Sequence, residues 1–323
     1  MTDLHVHDAT PADAAAVLAL IEAAFGARQH LDPPSTAPQE TAASVAAALA
    51  EHGGLLARVD GRPAGALLFE RQGDRLRLHR LSVDPPLEYR KVASALVGCA
   101  EQVAAARGCR AVSLTVRTDL PGTHRFWTRR CYVEVTRDAH AVTLAKPLPV
   151  ELVADTAEAT RAVGVRLSRL LRAGDLVLLS GDLGAGKTTL TQGIGAGLEV
   201  RGAVASPTFV IARVHPALRD DGPDLVHVDA YRLGGLEELD DLDLDAVLDR
   251  SVTVVEWGAG MAEQLSPDRL EVVLTRRHGD EPPASRRETE PADPRRLKVV
   301  PVGRRWLDAE LGTLGPAPSP TGH

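Results

Sequence analysis

The residues with the clearest chemical purpose are Gly181-Asp182-Leu183-Gly184-Ala185-Gly186-Lys187-Thr188. They fit G-x-x-x-x-G-K-[ST] at every fixed position. Glycines let successive backbone N–H groups turn inward as an anion nest. A helix starting at the loop's end adds the positive end of its dipole. Lys187 supplies a point charge for a phosphate chain, and the Thr188 hydroxyl is a ligand for a divalent cation, with Thr189 beside it. The apolar run Leu176-Val177-Leu178-Leu179 precedes the loop, so it joins a buried strand to a helix.

Such a loop needs a carboxylate at the end of another buried strand, to hold the metal or position a water. Asp229 follows Leu225-Val226-His227-Val228, and Glu256 follows Val252-Thr253-Val254-Val255. Ligands of open α/β sheets bind beyond the carboxyl ends of the strands, so both acids can face one nucleotide. Ser206-Pro207-Thr208 is a rigid polar loop that could sense a terminal phosphate. The acidic run Glu237 to Asp245 reads as the solvated face of a helix with packed leucines, not as a metal site.

These groups require elements to position them. In the second half we expect strands at Val150–Val153, Asp175–Ser180, Phe209–Val214, Leu225–Asp229, Ser251–Glu256, Arg269–Thr275 and Leu297–Val302. Helices are expected at Ala157–Leu171, capped by Asp155 or Thr156, at Thr188–Leu198 and at Leu236–Leu248. Strands alternating with helices make an α/β layer fold. The polar stretch from Gly279 to Pro294 reads as a loop.

The set GDLGAGKTT (Gly181–Thr189), SPTF from Ser206, HVDAYR from His227, Glu237-Glu238-Leu239 and Glu256-Trp257 closely resembles the TsaE family, between about Glu151 and Trp306. That resemblance implies a P-loop ATPase of tRNA threonylcarbamoyladenosine biosynthesis. ATP would bind at residues 181–189, Mg²⁺ at Thr188 and Glu256. Lys187 and Asp229 would be the catalytic pair, Asp229 as the water-positioning acid. Ser206 and Thr208 would form the switch, and Trp257 would lie close to the nucleotide. The partners implied are the TsaB and TsaD proteins, with tRNA reached only through that complex, where adenosine 37 is modified.

The first half reads β-α-α-β-β-β-α-β-α-β, with a strand at Arg75–Val83 and helices at Arg90–Arg107 and His124–Arg130. Residues Leu78–Leu96 and Phe126–Tyr132 resemble the GNAT acyl-CoA N-acetyltransferases. The resemblance implies an α+β domain holding acetyl-CoA near Val83 and at the helix start, Val92, Ala93 and Ser94. Glu88 and Lys91 replace the family's Arg/Gln and Gly in the pyrophosphate loop. Trp127 stands where a Tyr often serves as general acid, and Cys131 where a Gly is usual. The expected organisation is a GNAT-like domain over 1–147, a TsaE-like P-loop domain over 148–306, and a disordered tail over 307–323.

The 323 residues suit two domains. The net charge of −7 does not suit a general nucleic-acid or membrane-surface binder. No stretch approaches a membrane span and no signal peptide is visible, so the cytoplasm is the expected compartment, without a membrane partner. Cys99, Cys109 and Cys131 form no metal spacing. Two other functions compete: a P-loop kinase for a small molecule, and an acetyltransferase with a regulatory P-loop half.

Overall fold

The computed structural model describes residues 3–26, 37–86, 89–207, 211–232, 245–276 and 294–315. The chain folds as two units, Met1–Leu148 and Pro149–His323. Among the described residues, each unit has a seven-stranded sheet, and no helix is long and apolar enough to cross a membrane.

In the first unit the strands are β1 (Leu4–Asp8), β2 (Gly54–Val59), β3 (Arg62–Gln72), β4 (Arg75–Val83), β5 (Ala111–Arg117), β6 (Val133–Arg137) and β7 (Ala141–Pro147), in sheet order β1-β2-β3-β4-β5-β7-β6. Alternation along the strands feeds two cores. Leu55, Leu67 and Phe69 pack with α3 (Tyr89–Ala106) through Leu96 and Ala100. Leu56 and Leu68 face the other way, onto α1 (Ala14–Gly26) and α2 (Ala42–Glu51). All pairings are antiparallel except β4 with β5, which are parallel and matched only from Arg75/Ala111 to Leu78/Leu114. Beyond that point β4 carries a register shift against β3, and Arg80 adopts φ 56°. The short helix α4 spans Pro121–Thr128, not His124–Arg130, because Pro121 occupies its first turn.

In the second unit the strands are β8 (Val150–Ala154), β9 (Leu176–Ser180), β10 (Ala212–His215), β11 (Asp224–Asp229), β12 (Ser251–Glu256), β13 (Arg269–Arg276) and β14 (Arg295–Val302), in order β10-β11-β12-β9-β13-β14-β8. The four central strands, β11, β12, β9 and β13, are parallel. One face packs on α5 (Ala157–Ser168) and α6 (Lys187–Gly197). The other packs on Met261, Ala262 and Leu265. Thr156 caps α5, its hydroxyl accepting from Ala159 N at 3.0 Å. The helix ends at Ser168 instead of Leu171, because Leu170 and Leu171 bond three residues back. The two helices approach at glycines: a Cβ on Gly164 would sit 2.8 Å from Gly193 Cα.

The expected disordered tail begins too early. Leu307, Leu311 and Leu314 are buried, Leu311 and Leu314 join the main core, and Arg166 donates to the Leu314 carbonyl at 2.9 Å. Apolar residues at 307, 311 and 314 keep this segment on the sheet despite its prolines further on. Residues 316–323, most of the polar loop, Thr208 to Val210 and most of the acidic helix lie outside the described residues.

Candidate functional site

The glycine-rich loop leaves β9 at Ser180 and enters α6 at Lys187. Gly181 and Gly186 have φ of 143° and 105°, where L side chains are strained. The loop therefore forms only with glycine at these points. Lys187 is buried and donates to the carbonyls of Gly181 at 2.7 Å and Asp182 at 3.0 Å. Its ammonium sits 3.8 Å from the Trp257 ring centroid, a cation–π contact. Burial pushes the Lys187 ammonium below its ordinary range, opposed by Glu256, Asp229 and Asp182.

Asp229 and Glu256 are register partners at the carboxyl ends of β11 and β12. Thr188 Oγ1 donates to Glu256 Oε2 at 3.3 Å. Ser206 Oγ donates to Asp229 Oδ2 at 3.3 Å, and the Tyr231 amide donates to Oδ1 at 3.2 Å. Trp257 follows Glu256 with φ 63°, which turns its ring back over the loop beside Tyr231, the centroids 5.3 Å apart. A cavity of about 410 Å³ joins Gly184, Gly186, Lys187, Thr188, Thr189, Ser206, Asp229, Glu256 and Trp257. Leu183 lines it too, with its side chain exposed. Ala185 is buried in the core, its amide donating to the Asp182 carbonyl at 3.1 Å. Asp182 contributes the carbonyl held by Lys187. Thr208 lies outside the described residues.

Three features have no role that the motifs assign: the His227–Glu256 hydrogen bond at 2.8 Å, Tyr231 and Ile211 in the cavity wall, and the Arg295 side chain 3.0 Å from a Cβ built on Gly186. For His227 a signal existed: it stands two residues before Asp229 and so shares its face of the strand.

In the first unit, the side chains of Val83, Val92 and Ala93 are buried in the core. The Ser94 hydroxyl receives a hydrogen bond from Arg130. Residues 87 and 88 lie outside the described set. Trp127 is buried and stacked edge-on with Tyr132 at 4.8 Å. The Tyr132 hydroxyl donates to Glu101 Oε1 at 3.1 Å, and Lys146 holds the same carboxylate at 2.8 Å. Burial, then Glu101, pushes the Tyr132 phenol far up, so it stays protonated and donates to Glu101.

The second unit is a P-loop α/β unit by sheet and by site. The family model for threonylcarbamoyl adenosine biosynthesis protein TsaE matches residues 154–287. The tRNA threonylcarbamoyladenosine biosynthesis protein TsaE of Streptomyces coelicolor is 59% identical over 155 residues, 48% of this chain and 98% of that protein. Its namesake in Mycobacterium tuberculosis is 52% identical over 125 residues, 37% of this chain and 74% of that protein. The chain belongs to the TsaE family. In the first unit, the family model for GNAT acetyltransferases matches residues 17–131. A PaiA N-acetyltransferase from Thermoplasma acidophilum, solved in complex with coenzyme A, is 13% identical with a TM-score of 0.41, covering 45% of this chain and 99% of that chain.

Proposed function

We propose that the second unit binds ATP with Mg²⁺ and hydrolyses it, acting with the TsaB and TsaD proteins in threonylcarbamoylation of tRNA adenosine 37. The observation that carries this reading is one cavity that unites the phosphate loop with the Thr188–Glu256 pair and Asp229. Two hard oxygens side by side suit Mg²⁺, which takes one or two protein ligands plus substrate phosphates. Among the described residues no cluster of three or more His, Cys, Asp or Glu offers a protein-only metal cage. Bound at Thr188 and Glu256, the cation would neutralise charge on the β- and γ-phosphates.

This chain's residues do the rest. Amides of residues 184–188 bind phosphate oxygens, and Lys187 exchanges its loop carbonyls for the phosphate chain. Asp229 orients the attacking water. As that oxygen bonds to the γ-phosphorus, the bond to the bridging oxygen breaks, leaving ADP and phosphate. Ser206 links Asp229 to the switch loop, through which a partner can complete the site. Slow hydrolysis alone and faster hydrolysis with TsaB–TsaD is the expected result; fast, partner-independent turnover would contradict it.

For the first unit we propose acyl-CoA binding at the start of α3, near Val92, Ala93 and Ser94 and beside the point where β4 and β5 part, with the free amides of the helix's first turn as donors. The organisation proposed for the whole chain is thus a GNAT-like unit followed by a TsaE-like ATPase, both acting in the cytoplasm.

A further inference from the structure

His227 has no task in the account above, yet its side chain is fully buried beside the site. β11 and β12 pair with Asp229 opposite Glu256 and His227 opposite Val254. Alternation puts Leu225, His227 and Asp229 on the same face as Val252, Val254 and Glu256. Leu225, Val252 and Val254 lie in the core beneath α5 and α6, so that face is the one the phosphate-loop helix covers. His227 reaches diagonally across the pair, its Nε2 2.8 Å from Glu256 Oε1. An ionised carboxylate only accepts, so Nε2 carries the proton and donates. The other oxygen, Oε2, takes the Thr188 hydroxyl at 3.3 Å. Glu256 is 3% exposed, so protein groups rather than bulk water hold its carboxylate. Its two oxygens are divided between two named donors. The remaining ring nitrogen, Nδ1, is buried without a hydrogen-bond partner among the described residues, so the described polar work of this imidazole is directed at Glu256 alone.

We propose that His227 is a positioning residue for the divalent cation, fixing Oε1 of Glu256 so that Oε2 is presented beside Thr188. This rests on the reading of Thr188 and Glu256 as the cation pair. Groups that orient ligating carboxylates typically change metal affinity by about 10–100-fold when removed.

The test uses the full chain, a non-hydrolysable fluorescent ATP analogue, and titrations in EDTA and at graded Mg²⁺. Mn²⁺ binding by electron paramagnetic resonance gives a readout independent of turnover. Wild type must bind the analogue more tightly with Mg²⁺; if it does not, the cation-pair reading fails and this proposal with it. Given that response, His227→Leu is expected to raise the Mg²⁺ midpoint by about 10–100-fold, while affinity in EDTA is unchanged. His227→Gln, whose amide can donate to Oε1, is expected to restore most of the response. A wild-type Mg²⁺ midpoint in His227→Leu overturns the proposal, as does loss of EDTA affinity with an intact metal response, which marks a packing role. Should His227→Leu not fold, His227→Gln and the shorter His227→Asn decide. A near-normal midpoint for Gln and a raised one for Asn support the proposal, and equal midpoints overturn it.

Discussion

Lys187, Thr188, Asp229 and Glu256 come from three elements and meet in one cavity, yet their environments divide the labour. Glu256 is buried and tied to Thr188, the first residue after the loop lysine. Asp229 is tied instead to Ser206, from the polar loop before β10. Glu256→Ala is therefore expected to weaken Mg²⁺-dependent nucleotide binding together with turnover. Asp229→Ala is expected to lower turnover by about 10²–10⁴-fold with nucleotide affinity near wild type. Isothermal titration with and without Mg²⁺, beside single-turnover kinetics, checks both. Equal losses of Mg²⁺ affinity would make both acids ligands and end the division.

At the scale of elements, the loop is aimed by the α5–α6 pair, and that pair depends on close backbone approach. A Cβ on Gly193 would overlap the Arg161 carbonyl oxygen, which belongs to a helix and cannot swing aside. Gly193→Ala is expected to destabilise the second unit by about 1–3 kcal/mol, seen as a melting midpoint lowered by several degrees. An unchanged midpoint would mean that the helices part without consequence. Much of this layer was legible in the residues. The phosphate loop, both acids and the buried strands before them stood out because chemistry and period coincide there. Less visible were the features decided by tertiary geometry. The diagonal from His227 to Glu256 depends on strand register, which no local pattern states. The folded segment around Leu311 and Leu314 is short and flanked by prolines, so its burial follows from the sheet it covers. Likewise α4 starts at Pro121, three residues before the expected His124, because proline suits a first helical turn.

At the scale of the whole molecule, each unit has its own sheet and core, so each is expected to respond to its own ligand. The departure at Trp127 and the engaged phenol of Tyr132 bear on acetyl transfer, and the one at Lys91 bears on CoA binding. Acetyl-CoA at about 100 times its dissociation constant should stabilise the unit that binds it by roughly 2.7 kcal/mol. Calorimetry should show that shift in wild type and in Lys187→Ala alike. No shift at any acetyl-CoA concentration would remove the CoA reading. The central claim concerns the other unit and is tested most directly with ATP labelled at the γ-phosphate. Incubated with Mg²⁺, TsaB and TsaD, the wild-type chain is predicted to release the label as free phosphate, and Lys187→Ala to release almost none. Label found on a small-molecule acceptor, or wild-type release by Lys187→Ala, would contradict the account.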